Sequence, residues 1–261
     1  MKKVCLYYFS GTGMTKHVVE RLADEIKSRH VSVDCFKIEA VNGRNVALSD
    51  YDALIIAYPT HSLNAPKIVA DFVKQLPKSN SGTNTFIIHT CSADDAVNYG
   101  SSDLLIKRLS KKGYCICYNR LIEMPSNFAN KHSEQQAIKT LAAANDSVAR
   151  IAEDIIALKP YPSKERHLGL RALTWLARIE WFGAPIIGKF FYAKDGCDCC
   201  GKCVDNCPKK NIVMKKGAVG FKWSCGICMR CIYQCPKNII SVRKPFKFIR
   251  FDKWYDSEIF R

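Results

Sequence analysis

The chain of 261 residues is long enough to bury one good core and leave room for a second, smaller unit. It carries 40 basic against 24 acidic side chains, unevenly placed: 19 against 16 over residues 1–158, and 21 against 8 over 159–261. No uncharged apolar run approaches the length that spans a bilayer, and the opening "VCLYYF" is too short for a signal-peptide core. The 14 cysteines, nine of them between 197 and 235, therefore point to metal rather than disulfides in a cytoplasmic chain.

The first element in chain order is a short apolar run of strand type, "KKVCLYYF". It leads through "SGTGMT" into "MTKHVVERLADEI", whose Met14, Val18, Val19, Leu22, Ala23 and Ile26 share one helical face. The segment reads as strand, tight hydroxyl-rich turn, helix. A dinucleotide fingerprint would need a third glycine where Lys16 stands, and no Gly-Lys-Ser/Thr is present. What the turn offers is backbone N–H groups, the positive end of a helix dipole, and the hydroxyls of Ser10, Thr12 and Thr15. A phosphate bound there would be held by neutral donors.

Four more strand-like runs follow, "VSVDCFKI", "DALIIAY", "NTFIIHT" and "YCICYNRLI", with helical patterns around 15–29, 65–76, 100–112 and 133–158. The last helix opens on Ser133-x-x-Gln136, a capping-box pattern. Cys5, Cys35, Cys115 and Cys117 lie within the strand runs and read as packing residues. Regular alternation implies right-handed crossovers and an α/β fold with a doubly wound, five-stranded parallel sheet. In the order 2-1-3-4-5, a ligand belongs at the carboxyl ends of the first and third strands. The loops "SGTGMT" and "YPTHSLNAP" sit there.

These residues resemble the flavodoxins. Ser10, Gly11, Thr12, Gly13, Met14 and Thr15 are similar to the flavodoxin loop that holds the phosphate of flavin mononucleotide (FMN), departing from it at Met14. Pro59, Thr60, His61, Ser62, Leu63 and Asn64 resemble the loop that packs on the isoalloxazine. "HTCSADDAVNYG" falls where a second flavin-contacting loop follows strand four, which implies roles for Cys91, Ser92, Ala93, Tyr99 and Gly100. By its place at a strand end, Cys91 also reads as a small core residue. The resemblance covers nearly all of 1–158 and implies bound FMN. Its second departure is charge, since flavodoxins are typically acidic around the flavin.

The most specific pattern lies further on. Cys197-x2-Cys200-x2-Cys203-x3-Cys207-Pro208 is repeated as Cys225-x2-Cys228-x2-Cys231-x3-Cys235-Pro236, offset by 28 residues throughout. A pair of zinc sites needs two Cys pairs and has no use for the third and fourth spacings. The doubled run resembles the bacterial two-cluster ferredoxins, in which the fourth Cys of each run serves the other cluster. That resemblance implies one 4Fe-4S cluster on Cys197, Cys200, Cys203 and Cys235, and a second on Cys225, Cys228, Cys231 and Cys207. Cys199 is off register and reads as a spare thiol.

The domain plan is then a flavodoxin-like unit at 1–158, a helical linker at 159–194, a small α+β two-cluster module at 195–243, and a basic, aromatic tail at 244–261. In the linker, Leu168, Ala172, Trp175, Leu176, Ile179 and Phe182 form an apolar helical face, with Arg171 and Arg178 on another. We expect this face to clamp the module against the flavin unit; seating on a membrane surface is the other use of such a helix. The whole resembles flavodoxin–ferredoxin fusion proteins of anaerobic bacteria and archaea. This implies a cytoplasmic electron carrier that serves redox partner proteins, which the basic charge suggests are acidic, and that is a possible homodimer. The alternatives are a flavin-dependent reductase of a quinone or nitro compound and, without any recognisable reading module, a redox-sensing nucleic-acid-binding protein. No nucleic-acid partner is expected.

Overall fold

The computed structural model describes residues 1–128, 131–161, 168–215, 217–249 and 251–254. Five strands, β1 (Lys3–Tyr8), β2 (Ser32–Lys37), β3 (Ala53–Pro59), β4 (Asn84–Cys91) and β5 (Cys115–Glu123), form one parallel sheet in the order β2-β1-β3-β4-β5. This is the doubly wound, flavodoxin-like order that the alternation implies. Helices α1 (Met14–Ser28) and α4 (Glu134–Ile156) cover one face, while α2 (Lys67–Gln75) and α3 (Asp103–Ser110) cover the other. Val4, Leu6 and Tyr8 pack towards the first pair of helices and Cys5 and Tyr7 towards the second, so β1 is apolar on both faces from Val4 onwards. The face of α1 read from the sequence is the buried one, and Cys5 lies in the core. Both halves of the Ser133–Gln136 capping box form, at 3.1 and 3.2 Å. The pattern expected over 100–112 begins instead with a 3-10 turn, Asn98–Ser102, before α3.

After α4 the chain returns along the sheet edge, where the Tyr161 backbone pairs with Cys117 and Asn119 of β5. Helix α5 (Leu168–Leu176), a 3-10 turn and α6 (Glu180–Lys189) follow. Here the expectation fails. Leu168, Trp175, Leu176, Ile179 and Phe182 face outwards and are exposed. The inward face carries Thr174, Arg178, Trp181, Ala184 and Gly188. The reason lies in what it meets. Asn64 Nδ2 donates to the Thr174 carbonyl (2.8 Å) and Arg178 Nε donates to Asn64 Oδ1 (3.0 Å). A Cβ on Gly188 would fall 2.0 Å from Cys225 Cβ. A polar loop and a close backbone approach call for small and hydrogen-bonding residues, not for an apolar stripe.

The C-terminal half is a repeat in three dimensions. Strands β6 (Phe191–Ala193) and β9 (Ile240–Val242) pair antiparallel, as do β7 (Ile212–Lys215) and β8 (Ala218–Phe221). Helix α7 (Lys202–Asp205) matches α8 (Arg230–Tyr233) at the 28-residue offset of the cysteines. The left-handed backbone positions obey the same offset: Cys199 with Ile227, Gly201 with Met229, and Lys210 with Asn238. Each half-repeat therefore lends one strand to the other's partner, and Phe191, Ile212, Phe221, Ile232 and Ile240 fill a shared core. Among the described residues no helix is long and apolar enough to cross a membrane.

Candidate cofactor site

The turn after β1 ends on Gly13, whose left-handed backbone (φ 109°) caps α1 without a side-chain hydrogen bond. The first-turn amides of a helix have no intrahelical acceptor, so α1 presents donors and the positive end of its dipole to this turn. Ser10 Oγ accepts from the Lys16 amide at 3.2 Å, and Thr15 Oγ1 lies 2.9 Å from Thr90 Oγ1. Thr12 Oγ1 accepts from Asn127 Nδ2. Each hydroxyl is thus oriented by a neighbour.

The second loop is a tight turn in which His61 and Asn64 exchange backbone hydrogen bonds, each 2.8 Å. Ser62 and Leu63 both hold positive φ (41° and 62°), the geometry of a type I′ turn, which side-chain-bearing residues adopt at some cost. Asn64 anchors it by donating to the Ser62 carbonyl and bonding the linker helices. Behind the loops, His89 is fully buried, stacked on Tyr58 and met edge-on by Tyr99, with Ser101 Oγ 3.0 Å from its Nδ1. Burial pulls its pKa down to about 3, so it stays neutral. Burial likewise lowers the pKa of His61 and raises that of the Cys91 thiol.

These loops surround a cavity of about 470 Å³ at the carboxyl edge of the sheet. Its wall includes Gly11, Thr12, Met14, Thr15, Pro59, Thr60, His61, Ser62, Leu63, Cys91 and Ser92 of the residues expected from sequence. Ser10, Gly13 and Asn64 do not line it but build the turns that do. Ala93, Tyr99 and Gly100 are also absent from the wall; Asn98 of the same segment stands there instead, its amide bonded to the Ala93 carbonyl at 3.1 Å. Sequence reasoning missed Met124–Phe128, although β5 ends at the same edge of the sheet and the topology alone should have nominated its loop.

It also missed the other side of the cavity. Glu180, Ile187, Ile227, Cys228, Met229, Ile249 and Phe251, all from the C-terminal half, complete the wall. The two halves meet without a gap: a Cβ on Gly11 would fall 2.0 Å from the Cys228 carbonyl oxygen, so only glycine fits. Arg230 donates to the Ser10 carbonyl through Nε (3.1 Å) and Nη2 (2.6 Å), and to the Asn206 carbonyl through Nη1 (3.2 Å). The same nitrogen lies 2.6 Å from Glu39 Oε1, an ion pair without a well-aligned hydrogen bond. Its guanidinium also lies over the Phe9 ring.

Cysteines of both runs lie close to one another. Cys197, Cys199, Cys200, Cys203 and Cys235 line one small cavity. Burial raises the Cys203 pKa, and Cys197, Cys235 and Cys200 add to the rise. Burial pushes Cys225 up to about 12 against the opposing Ile227 amide, with Cys228 and Cys207 adding to the rise, and burial raises Cys231 too, with Cys228, Cys225, Cys207 and Cys203 around it. Backbone amides of Ile227 and Asn211 donate to the sulfurs of Cys225 (3.4 Å) and Cys207 (3.2 Å). Among the described residues no three His, Cys, Asp or Glu side chains converge on a point that would hold a single metal ion. Neighbouring thiols that oppose one another's ionisation, with amides aimed at sulfur, are a donor set suited to a group that binds thiolates one per corner. Cys199 Sγ instead donates to the Gly217 carbonyl (2.8 Å), and its repeat partner is Ile227.

The fold and the edge cavity define a flavodoxin-like domain joined to a cysteine-rich repeat. Residues 5–113 match the family described as the flavodoxin domain. Solved structures similar to the chain include a flavodoxin of Streptococcus pneumonia TIGR4, 16% identical over 59% of this chain and 98% of that one (TM-score 0.45). A flavodoxin from the domain Archaea is 18% identical over 59% and 99% (TM-score 0.38), and an azoreductase from Bacillus anthracis str. Sterne 10% over 59% and 100% (TM-score 0.45). No curated protein matches the chain.

Proposed function

We propose that the chain is an electron-transfer flavoprotein that would hold FMN in the edge cavity and two 4Fe-4S clusters on the crossed cysteine groups, as a cytoplasmic ferredoxin-like fusion serving redox partner proteins. The observation that carries this reading is the shared wall: Thr12 and Thr15 of the phosphate-type loop line the same cavity as Cys228 of the second cysteine run. The cavity's volume lies within the ordinary range for cofactor sites. When bound, FMN supplies one- and two-electron chemistry and each cluster one-electron chemistry. The residues do the rest. Gly11, Thr12 and the α1 amides would hold the phosphate, and the turn at Ser62 and Leu63 would position the ring. Ile187, Ile227, Met229 and Phe251 close the cavity against water. Cys228 of the second run packs against the flavodoxin-like domain, whereas Cys200 of the first is exposed, which gives the module an inner and an outer end. The basic C-terminal half favours acidic partners at the outer end.

A second reading has its own support. A further cavity of about 200 Å³ shares His61, Glu180 and Cys228 with the first. Glu180 Oε2 and Trp181 Nε1 are buried there without a hydrogen-bond partner among the described residues. The Trp181 Nε1–H would donate to an oxygen of a small acceptor such as a quinone or nitro compound. Anaerobic purification with assay of flavin, iron and sulfide tests the first reading: one FMN and about eight irons per chain are expected. Stoichiometric zinc without acid-labile sulfide would end it. Turnover of a panel of small acceptors tests the second.

A further inference from the structure

One face of the α5–α6 segment has no partner among the described residues. Leu168, Trp175, Ile179 and Phe182 recur at helical spacings along a single stripe and are 81%, 67%, 70% and 75% exposed. Ile186 extends the stripe by another turn and is also exposed. The opposite face is occupied, since Thr174 and Arg178 bond Asn64 and Gly188 lies against Cys225. The stripe is therefore the outward surface of a segment already fixed to the protein.

Its border and surroundings identify what covers it. Arg171 and Lys189 stand on one flank of the stripe, five helical turns apart, and both are exposed. Lys189 Nζ donates to the Phe221 carbonyl (2.8 Å) and lies 5.8 Å from the ring centre of Trp223, itself exposed, so the aromatic and basic patch continues past the helix end. Between 168 and 189 the only acidic residue is Glu180, which lines the cavities. Trp and Phe among Leu and Ile, bordered by Arg and Lys, make up the composition of helices that lie in the headgroup layer. A second copy of the chain would oppose this one's net charge of +16 with its own. The geometry points to an anionic lipid surface as the occupant, with α5–α6 seated in the headgroup layer while its other face bonds the flavin domain. This assignment does not depend on which cofactors the chain holds.

The test is flotation of the full-length protein with vesicles of phosphatidylcholine alone and of an equimolar mixture with phosphatidylglycerol. Binding is expected to the anionic vesicles, weakening as salt rises. Trp175→Ser, Ile179→Ser and Phe182→Ser together should lower it at least about 30-fold, since three large apolar side chains are lost. Arg171→Gln with Lys189→Gln should lower it by roughly a factor of ten or more, about fivefold per charge. Ile138→Ser, at an exposed apolar position on α4, should leave it unchanged. The proposal is overturned if neither vesicle floats the protein, or if the triple variant floats as well as the parent. A parent dimer by light scattering that becomes monomeric in the triple variant would overturn it as well. Should the triple variant not fold, quenching of the parent's tryptophan emission by brominated anionic lipid decides the matter, and no quenching refutes it.

Discussion

Replacing Arg230 with Met removes three hydrogen bonds from a cation to backbone carbonyls, two at Ser10 and one at Asn206, and leaves Glu39 without its partner. The Arg230 and Glu39 side chains are 11% and 12% exposed, so solvent does little to screen the loss. Hydrogen bonds from a charged group contribute about 1.5–3 kcal/mol each, but these share one guanidinium and do not add. Stranding a buried charge costs about 3–5 kcal/mol, and this sets the scale for the whole change. Arg230→Met should therefore destabilise the chain by about 3–5 kcal/mol. Glu39→Gln, which keeps the shape and loses the charge, should cost less, and the double variant should fall short of the summed single costs by about 1 kcal/mol or more. Urea unfolding followed by far-ultraviolet circular dichroism measures all three. Because Arg230 bridges the two halves, its variant should also broaden or split the transition, as the halves lose cooperativity. A loss below about 1 kcal/mol with strictly additive costs would refute the view that this residue joins the halves.

Gly11→Ala places a methyl group where the Cys228 carbonyl oxygen lies 2.0 Å away; it should cost about 1–3 kcal/mol and weaken FMN binding, read by quenching of flavin fluorescence. Cys200→Ser should lose iron from one cluster while Cys199→Ser keeps about eight irons per chain, and the reverse result would show the register of the first run to be wrong. The crossed grouping is checked by electron paramagnetic resonance, with Cys207→Ser expected to damage the cluster held by Cys225, Cys228 and Cys231. His89, buried neutral with a pKa of about 3, is protonated more readily unfolded than folded; its contribution is complete above the ordinary histidine pKa and is lost as pH falls from about 6.5 towards 3. Stability should fall by up to roughly 4 kcal/mol over that window, and in His89→Gln the slope should flatten.

Much of this was legible in the sequence because it rests on periodicity. The faces of β1 and α1 follow from spacings of two and three to four, and the Ser133–Gln136 box is a local motif that either forms or does not. The 28-residue cysteine repeat foretold a structural repeat, since the paired strands, the short helices and three pairs of left-handed positions keep the same offset. Cys199 keeps the offset too: Ile227 holds its place in the second run, and both have left-handed backbone.

The join between the halves was not legible, and the reason is chemical. Beside the Glu39 and Asn64 side chains, its acceptors are the backbone carbonyls of Ser10 and Thr174, and the closest approach is made to the carbonyl of Cys228. Every residue has a carbonyl, so none of these leaves a mark in the side-chain pattern. What does leave a mark is an apolar stripe, and on α5–α6 that stripe points away from the protein. A hydrophobic face says that a helix must be covered; it does not say by what. The covering surface on the inner side is polar, shaped by the Asn64 turn and by the cysteine loop, and it selected Thr174, Arg178 and Gly188, residues that amphipathicity analysis discards. The inner face fastens the helices to the flavodoxin-like domain, and the outer one is left exposed.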